Sequence, residues 1–472
     1  MTGLEMENHW VEKEFSGLSL GDKRLNNRAT KIAKSLSENP QATIPQVCKG
    51  WNETHAAYAF FNNPKISKDK ILAPHIQSTL NRASHEKVAL AIQDTTSLNF
   101  TNLVKTDGLG EIGDSRGKGL ICHNTYLVSE EGLPLGILDQ ELWNRKKSKF
   151  KDDVKRPNTP IKKKESYKWQ KALKKVSNIT SNLKKTKIIH VADREADIFT
   201  FFEEAKCIDE DFIVRVAQNR RINKKSRASS DGEMLFASLD RENPLETVEI
   251  EVNDRSAPTR KRMAKIELRA KKFDFNAPRA KAMSTHNFRH EKLPLSVISA
   301  KEIDCEDIAR PIHWILVTNV EIKSAEQILY CVKSYSIRWT VEVFHRILKT
   351  GCRVESIRFD NADKIKIYAS FSSIIAWHIH WLTFFTRTEP NKHADELFEP
   401  NDQKMLRSIF EKPKKGRKKR LIIKDCVIYI ARLGGFLARK HDGFPGAEVI
   451  WRGLIRFQEW KFQLKYLKEQ GF

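Results

Sequence analysis

Two aspartates directly follow short apolar runs that have the character of buried strands. Residues 88–92 lead through Gln93 to Asp94, and residues 188–192 lead to Asp193. Unbroken apolar runs of this length are typical of strands buried on both faces, and ligands of α/β sheets collect where strands end. If the two strands are neighbours, the carboxylates converge, and a divalent cation would relieve their repulsion. Each aspartate taken alone is also explained as a loop or helix-cap residue.

A third acid lies on a predicted helix from about 324 to 350. At 100° per residue, four polar side chains of this helix fall within an arc of about 60°: Tyr335, Arg338, Glu342 and Lys349. Apolar residues cluster on the opposite side of the helix. One face is therefore predicted to pack in the protein interior, and the other to present the carboxylate of Glu342 beside two cationic side chains and a phenol. An ordinary solvated face, with Arg338 and Glu342 as an i,i+4 ion pair, explains the same spacing.

The elements around these residues indicate an α/β core. Residues 120–143 have the pattern of a hairpin that turns at Glu130-Glu131-Gly132, and a helical pattern follows Asp193. Further strands are predicted at 212–216 and 314–318. Residues 220–300 alternate polar turns with short β-like pieces, which predicts an insertion or subdomain.

Both ends of the chain are predicted to be helical. Asp22 is a plausible helix cap, a second helical piece runs from Glu53 to Phe61, and Ser67 could cap a third. This basic segment of roughly 75 residues suits DNA recognition, although a solvated basic surface explains it as well. Residues 362–472 include a basic run, Lys412 to Arg420, which we interpret as a solvated loop.

The overall charge favours a polyanionic partner. The 472 residues include 84 Lys and Arg against 60 Asp and Glu, a formal net charge of +24. Nucleic acid is the leading candidate, ahead of an anionic membrane surface. The apolar stretch from Tyr368 to Phe385 contains two histidines and is predicted to be a buried helix rather than a membrane span. The seven cysteines lie far apart and no secretory signal is visible, so we expect free thiols and a cytoplasmic protein.

The helix from Tyr335 to Lys349 matches the Y-x2-R-x3-E-x6-K signature of the IS4-family, Tn5-like DDE transposases. The chain resembles this family over nearly its whole length, and the resemblance is faint in 220–300 and 388–425. Further similar segments are Asp94-Thr-Thr-Ser97, Ser115-Arg116-Gly117, Glu165-Ser166, Lys168-Trp169, Asp193-Arg-Glu-Ala-Asp-Ile198, Trp314 and Ile430-Ala-Arg-Leu-Gly-Gly-Phe436. Gln93 and Val343 replace acidic residues that the family pattern leads us to expect beside two triad members.

The resemblance implies an α/β fold: an RNase H-like core, with a mixed five-stranded sheet flanked by helices and a β-rich insertion, between helical N-terminal and C-terminal domains. In such a core Asp94, Asp193 and Glu342 would be the catalytic triad and would bind two Mg²⁺ or Mn²⁺ ions. The implied domains are a DNA-binding domain at 1–75, a catalytic domain at 76–361 with its insertion around 220–310, and a dimerisation domain at 362–472.

The resemblance also implies partners. The chain would bind double-stranded DNA, both the terminal inverted repeats of its element and target DNA, and would form a homodimer in the synaptic complex of a bacterial mobile element. Residues expected to contact DNA are Tyr335, Arg338, Lys349, Arg215 and Trp314 near the cut, with Lys23, Arg24 and Arg28 in the N-terminal domain.

The implied activity is cut-and-paste transposition: nicking at the element ends, hairpin formation and opening, and strand transfer into target DNA. One alternative is another RNase H-like enzyme, a resolvase or integrase, which would not explain the spacing of Tyr335, Arg338 and Lys349. A second alternative is a catalytically silent regulator derived from a transposase. The loss of a triad carboxylate would favour the regulator, and all three are present.

Overall fold

A computed structural model describes residues 10–48, 50–113, 117–145, 160–226, 230–253, 261–278, 288–305, 311–411 and 420–469. The run from Lys412 to Lys419, and Ser115 and Arg116 of the family-like segment, lie outside the described residues.

Five helices form the N-terminal region: α1 (Trp10–Glu14), α2 (Lys23–Glu38), α3 (Ile44–Val47), α4 (Trp51–Phe61) and α5 (Lys68–Ala83). The predicted caps are confirmed. Asp22 accepts a hydrogen bond from the backbone N–H of Arg24, and Ser67 accepts one from that of Lys70. These side chains satisfy donors that a helix start leaves unpaired, which is why short polar residues mark the starts in the sequence.

Ten strands build one mixed sheet: β1 (Val88–Asn99), β2 (Gly110–Ile112), β3 (Gly117–Ser129), β4 (Pro134–Trp143), β5 (Lys187–Ala192), β6 (Asp211–Arg215), β9 (Glu246–Asn253), β10 (Lys261–Asn276), β11 (Lys292–Ile303) and β12 (His313–Thr318). Its centre has the order β4-β3-β1-β5-β6, in which β1, β5 and β6 are parallel and β3 and β4 are the predicted hairpin. This is the five-stranded mixed sheet expected of an RNase H-like core.

Strand β1 continues beyond the point where the apolar run predicted its end. Its parallel pairing with β5 stops at Gln93, opposite Ala192, but its antiparallel pairing with β3 continues to Asn99. Asp94 is therefore inside a strand rather than after one. The prediction of the strand end was wrong because a long-range partner, β3, supplies hydrogen bonds to polar residues that have no strand signal of their own.

The β-rich insertion extends the same sheet. Strand β12 pairs with β6 at the edge of the five-stranded centre, and β11, β10 and β9 follow in antiparallel order. Two short strands, β7 (Arg221–Ile222) and β8 (Glu233–Met234), form a separate hairpin before helix α8 (Leu235–Asp240). Of the two possibilities predicted for 220–300, an insertion or a subdomain, the strands β9, β10 and β11 fit an insertion that continues the central sheet.

The predicted long helix at 324–350 is two helices and a π-helical turn: α9 (Ala325–Ser336), α10 (Trp339–Arg346) and the turn Ile347–Gly351. Between α9 and α10 the N–H groups of Arg338 and Val341 bond to carbonyls three residues earlier. The hydroxyl of Thr340 also bonds to the carbonyl of Ile337, at 2.7 Å. Such tighter bonds, and a hydroxyl that competes for the backbone, explain why one continuous helix does not form.

The remaining helices are α6 (Tyr167–Thr180), α7 (Phe199–Cys207), α11 (Ala362–Thr388), α12 (Pro400–Phe410), α13 (Ile423–Leu433) and α14 (Ala447–Glu469). Helix α11 is buried along most of its length, as predicted. It joins the regions of the chain: Trp377 donates to the carbonyl of Pro134, and His378 stacks on Trp10. Throughout the described ranges, every helix is too short or too polar to cross a membrane. All seven cysteines are free thiols.

Candidate active site

The two aspartates lie side by side at one edge of the paired strands. Gln93 of β1 is opposite Ala192 of β5 in the parallel ladder, and Asp94 and Asp193 are the next residue on each strand. Asp94 directly follows the last residue of β1 that pairs with β5. Asp193 is the first residue after β5, and its side chain accepts a hydrogen bond of 2.7 Å from the N–H of Arg194. Asp193 therefore caps the turn that follows β5 and is also a neighbour of Asp94.

Helix α10 brings Glu342 to the same place. Arg338, one turn earlier, hydrogen-bonds to the carboxylate of Glu342, and its Nη1 lies 4.0 Å from Oδ1 of Asp94. One guanidinium thus connects an acid on the helix with an acid on the sheet. The i,i+4 pair that the sequence suggested does form, but at an inward-facing site rather than on a solvated surface.

Arg338 also interacts with the third carboxylate. Burial alone would lower the pKa of its guanidinium. The neighbouring phenol of Tyr335 and the carboxylates of Asp193 and Glu342 outweigh burial and raise the pKa. Arg338 therefore contacts Glu342 and Asp94 directly, and the charge of Asp193 also acts on its guanidinium, so the three acids lie around one cation.

Asp94 is held in its charged form. Burial would raise the pKa of this carboxyl, but contacts with His345 and Arg338 more than compensate and lower it. Nδ1 of His345 lies 3.5 Å from Oδ2 of Asp94. A carboxylate that stays ionised in a mostly buried position is suited to bind a cation.

Three predicted DNA-contact residues surround Asp193. The hydroxyl of Tyr335 is 3.4 Å from its Oδ1, and the ring of Trp314 packs edge-on against Tyr335 with 5.6 Å between ring centroids. Burial raises the pKa of Tyr335, and the charge of Asp193 adds to the effect. The charge of Arg215, at the end of β6, opposes this rise in the pKa of the same phenol. Strands β6 and β12 therefore deliver Arg215 and Trp314 to the edge where the aspartates lie.

No ion pair joins Lys349 or the N-terminal cations to a triad carboxylate among the described residues. Lys349 is half-buried in the π-helical turn after α10 and forms no ion pair with a triad carboxylate in the described part of the chain. Lys23 and Arg24 are exposed at the start of α2, and Arg28 is half-buried one turn later. The expected roles of these four residues stay predictions.

The carboxylates of Asp94, Asp193 and Glu342 are chemically suitable ligands for a hard divalent cation. All three groups are carboxylates, and oxygen is the ligand that Mg²⁺ and Mn²⁺ prefer. Among the residues with described positions, however, no three His, Cys, Asp or Glu side chains stand close enough together to hold a metal ion. Arg338 provides the positive charge between the acids in this arrangement.

Two residues of the site were not singled out in the sequence. His345 contacts Asp94, and its position one helical turn after Glu342 was the available signal. Asp197 is buried and accepts hydrogen bonds from the N–H groups of Ala217 and Gln218, at 2.8 and 2.9 Å. It thereby fixes the chain that leaves β6 just after Arg215. No local pattern marks such a contact, because its partners are twenty residues away.

Comparison with known families agrees with these features. Residues 7–66 match a family model described as transposase DNA-binding, and residues 374–468 match one described as the transposase Tn5 dimerisation domain. The matched segments contain helices α1 to α4 and α12 to α14, and the sheet with its three acids lies between them. Models of two Tn5-type transposase domains thus match the two ends of the chain, and these matches support a Tn5-like transposase of the IS4 family.

Proposed function

We propose that this protein catalyses cut-and-paste DNA transposition and that Asp94, Asp193 and Glu342 are its catalytic triad. The observation that carries the proposal is the position of the Arg338 guanidinium between Glu342 of α10 and Asp94 of β1, with Asp193 following the β5 residue that pairs beside Asp94. Acids from separate elements repel each other when they are brought together, and a bound cation relieves that repulsion.

Asp94, Asp193 and Glu342 would hold two Mg²⁺ or Mn²⁺ ions. When bound, such ions activate the attacking oxygen and stabilise the leaving oxygen of an in-line phosphoryl displacement. The lowered pKa of Asp94 supports this role, because the carboxylate needs no deprotonation before it binds a cation.

The surrounding side chains would position the DNA strand. Arg338 and Arg215 place two guanidinium groups near the acids, and charge-assisted bonds to phosphate both orient a strand and offset developing charge. Tyr335 would hold Asp193 in place and contact phosphate. Lys349 would bind a phosphate farther along the strand. Trp314, which already packs on Tyr335, would accommodate a base that leaves the stack at a hairpin.

The proposed reaction is a series of displacements at phosphorus. Water first attacks one strand at the element end and releases a 3′-OH. This hydroxyl attacks the opposite strand, so that a hairpin forms and the flanking DNA leaves as the displaced group. Water then opens the hairpin, and the regenerated 3′-OH attacks target DNA and joins the element to it.

The N-terminal and C-terminal regions that match the two family models would bind the terminal repeat and pair the protomers, respectively. Lys23, Arg24 and Arg28 would contact the terminal repeat from α2, where their charges favour phosphate. The C-terminal helices would pair two protomers in the synaptic complex, so that each protomer cuts the end bound by the other. The domain limits of 1–75, 76–361 and 362–472, and a bacterial cytoplasmic location, belong to the same proposal.

The test is product analysis on a labelled duplex that carries the terminal repeat of the element. The wild-type protein with Mg²⁺ is expected to give a nick, then a hairpin, then a double-strand break, and none of these with EDTA. Nicking without a hairpin would point to a resolvase-like or integrase-like enzyme. Specific binding without any cleavage would point to a silent regulator.

A further inference from the structure

The carboxylate of Asp94 is at one end of a continuous chain of buried polar side chains. Nδ1 of His345 lies 3.5 Å from Oδ2 of Asp94, and Nε2 of the same ring is 2.9 Å from Nδ2 of Asn124. The amide of Gln140 continues the chain, since its Nε2 donates to Oδ1 of Asn124 at 2.9 Å and to the hydroxyl of Ser373 at 2.8 Å. The chain therefore runs from the sheet edge to helix α11.

Asn124 is placed to hold His345 by the register of the sheet. It lies directly opposite Asp94 in the antiparallel ladder between β1 and β3, so both side chains are on the same face. Helix α10 packs over that face and inserts His345 between them. All three are largely buried, and an unpaired polar group would be costly there.

The hydrogen-bond inventory fixes the tautomer of His345. Asn124 accepts from Gln140 through Oδ1, and its Nδ2 donates both to Nε2 of His345 and to the sulfur of Cys122, at 3.3 Å. Nε2 of the imidazole is then an acceptor, so the proton of a neutral ring is on Nδ1, the atom that faces Asp94.

We propose that His345 is a positioning residue for Asp94: its Nδ1–H holds the carboxylate in one orientation, and Asn124 holds the imidazole. This inference rests on the proposed function, because it assumes that Asp94 binds the metal ions of the triad. Partners that orient a ligand carboxylate commonly change metal affinity by about 10–100-fold when they are removed.

Two substitutions of His345 separate positioning from packing. In His345→Asn the amide nitrogen takes the place of Nδ1 and still donates to Asp94. In His345→Gln the amide takes the place of Nε2, which keeps the contact with Asn124 and loses the one with Asp94. The matched control is His380→Gln, because His380 is also a buried histidine, and its Nδ1 is 3.1 Å from the hydroxyl of Tyr126.

The experiment is a Mn²⁺ titration of the full-length protein, followed by electron paramagnetic resonance, with single-turnover cleavage measured alongside. Expected are a loss of Mn²⁺ affinity of about tenfold or more for His345→Gln, retention within about threefold for His345→Asn, and wild-type affinity for His380→Gln. Equal Mn²⁺ affinities for the two His345 variants would overturn the positioning role while the wild type still binds Mn²⁺ and cleaves. Absence of Mn²⁺ binding by the wild type would instead remove the proposed function, and this inference with it.

Discussion

A buried ion network under helix α1 predicts a large local loss of stability when Glu14 is changed. The carboxylate of Glu14 is 2.5 Å from Nδ1 of His75 and accepts two hydrogen bonds from Arg82, at 3.0 and 3.1 Å. Nε2 of His75 accepts from the N–H of Ile137, and Nε of Arg82 donates to the carbonyl of Leu135. The network therefore ties α1, within the segment that matches a DNA-binding domain, to strand β4 of the core.

The magnitude follows from the pKa of Glu14. Burial alone would raise it, but His75 and Arg82 outweigh burial and lower the pKa from 4.5 to about 2. Burial lowers the pKa of His75, and the carboxylate of Glu14 opposes that change. A shift of this size corresponds to roughly 3 kcal/mol of stability. Because the folded pKa is the lower one, this contribution is complete above about pH 4.5 and is lost as the pH falls towards 2.

Hydrogen exchange of the α1 and α5 amides, followed by mass spectrometry, measures this contribution locally. Glu14→Ala removes the carboxylate that pairs with His75 and Arg82, so we expect protection at pH 7 to fall by roughly a hundredfold, in line with about 3 kcal/mol. The control is Glu12→Ala on the same helix, because Glu12 has only a surface pair with Lys34 at 3.5 Å. Equal protection in the two variants would refute the assignment of this energy to the buried network.

Three further predictions concern the site and the C-terminal helices. Arg338→Gln removes the cation that lies among the triad carboxylates. Because its contact with them is worth about 1 kcal/mol, the metal-free variant should bind Mn²⁺ roughly fivefold more tightly, while DNA cleavage slows. Weaker Mn²⁺ binding by the variant in a calorimetric titration would contradict this account of Arg338. Tyr335→Phe removes a hydrogen bond to a carboxylate, worth about 1.5 kcal/mol, and should slow single-turnover cleavage about tenfold; an unchanged rate would count against a role in holding Asp193. Gly453→Ala would place a methyl group 1.8 Å from the carbonyl oxygen of a residue in α13, and this overpacking of about 2 kcal/mol should lower the melting temperature and weaken dimer formation. Gly446→Ala, whose methyl group would meet nothing within 4 Å, should change neither. Equal melting temperatures for the two variants would show that α13 and α14 can separate without cost.

Local chemistry explains why much of the fold could be predicted from the sequence. Asp22 and Ser67 start helices because their side chains satisfy the first backbone donors, and this requires only the neighbouring residues. The apolar run before Asp193 ends where its strand ends, because β5 is buried on both faces along that run. Periodicity and caps report such features directly.

Features that depend on distant partners were not predictable in the same way. Strand β1 continues past Asp94 because β3 pairs with it, and the insertion joins the central sheet because β12 pairs with β6. These outcomes are decided by tertiary pairing, which overrides the local preference of the residues involved.

The candidate site also combines features that the local sequence predicts with features that depend on distant partners. The apolar runs of β1 and β5 pointed to Asp94 and Asp193, but only the family signature indicated Glu342 as their partner. The contact of His345 with Asp94, and the position of Arg338 among the three acids, became visible with the packing of α10 on the sheet. A helical projection could not show them, since α9 and α10 are not one straight helix.

The most direct test of the triad is single-turnover cleavage of the terminal-repeat duplex by the wild type and by Glu342→Gln, with DNA binding measured on the same samples. Glu342→Gln keeps the shape of the side chain and removes its charge, so DNA binding is expected to persist. The account predicts metal-dependent nicking and hairpin formation by the wild type and loss of both by at least about a thousandfold in the variant, the scale of a missing catalytic charge. Cleavage by Glu342→Gln at a rate near that of the wild type would contradict the assignment of the catalytic triad.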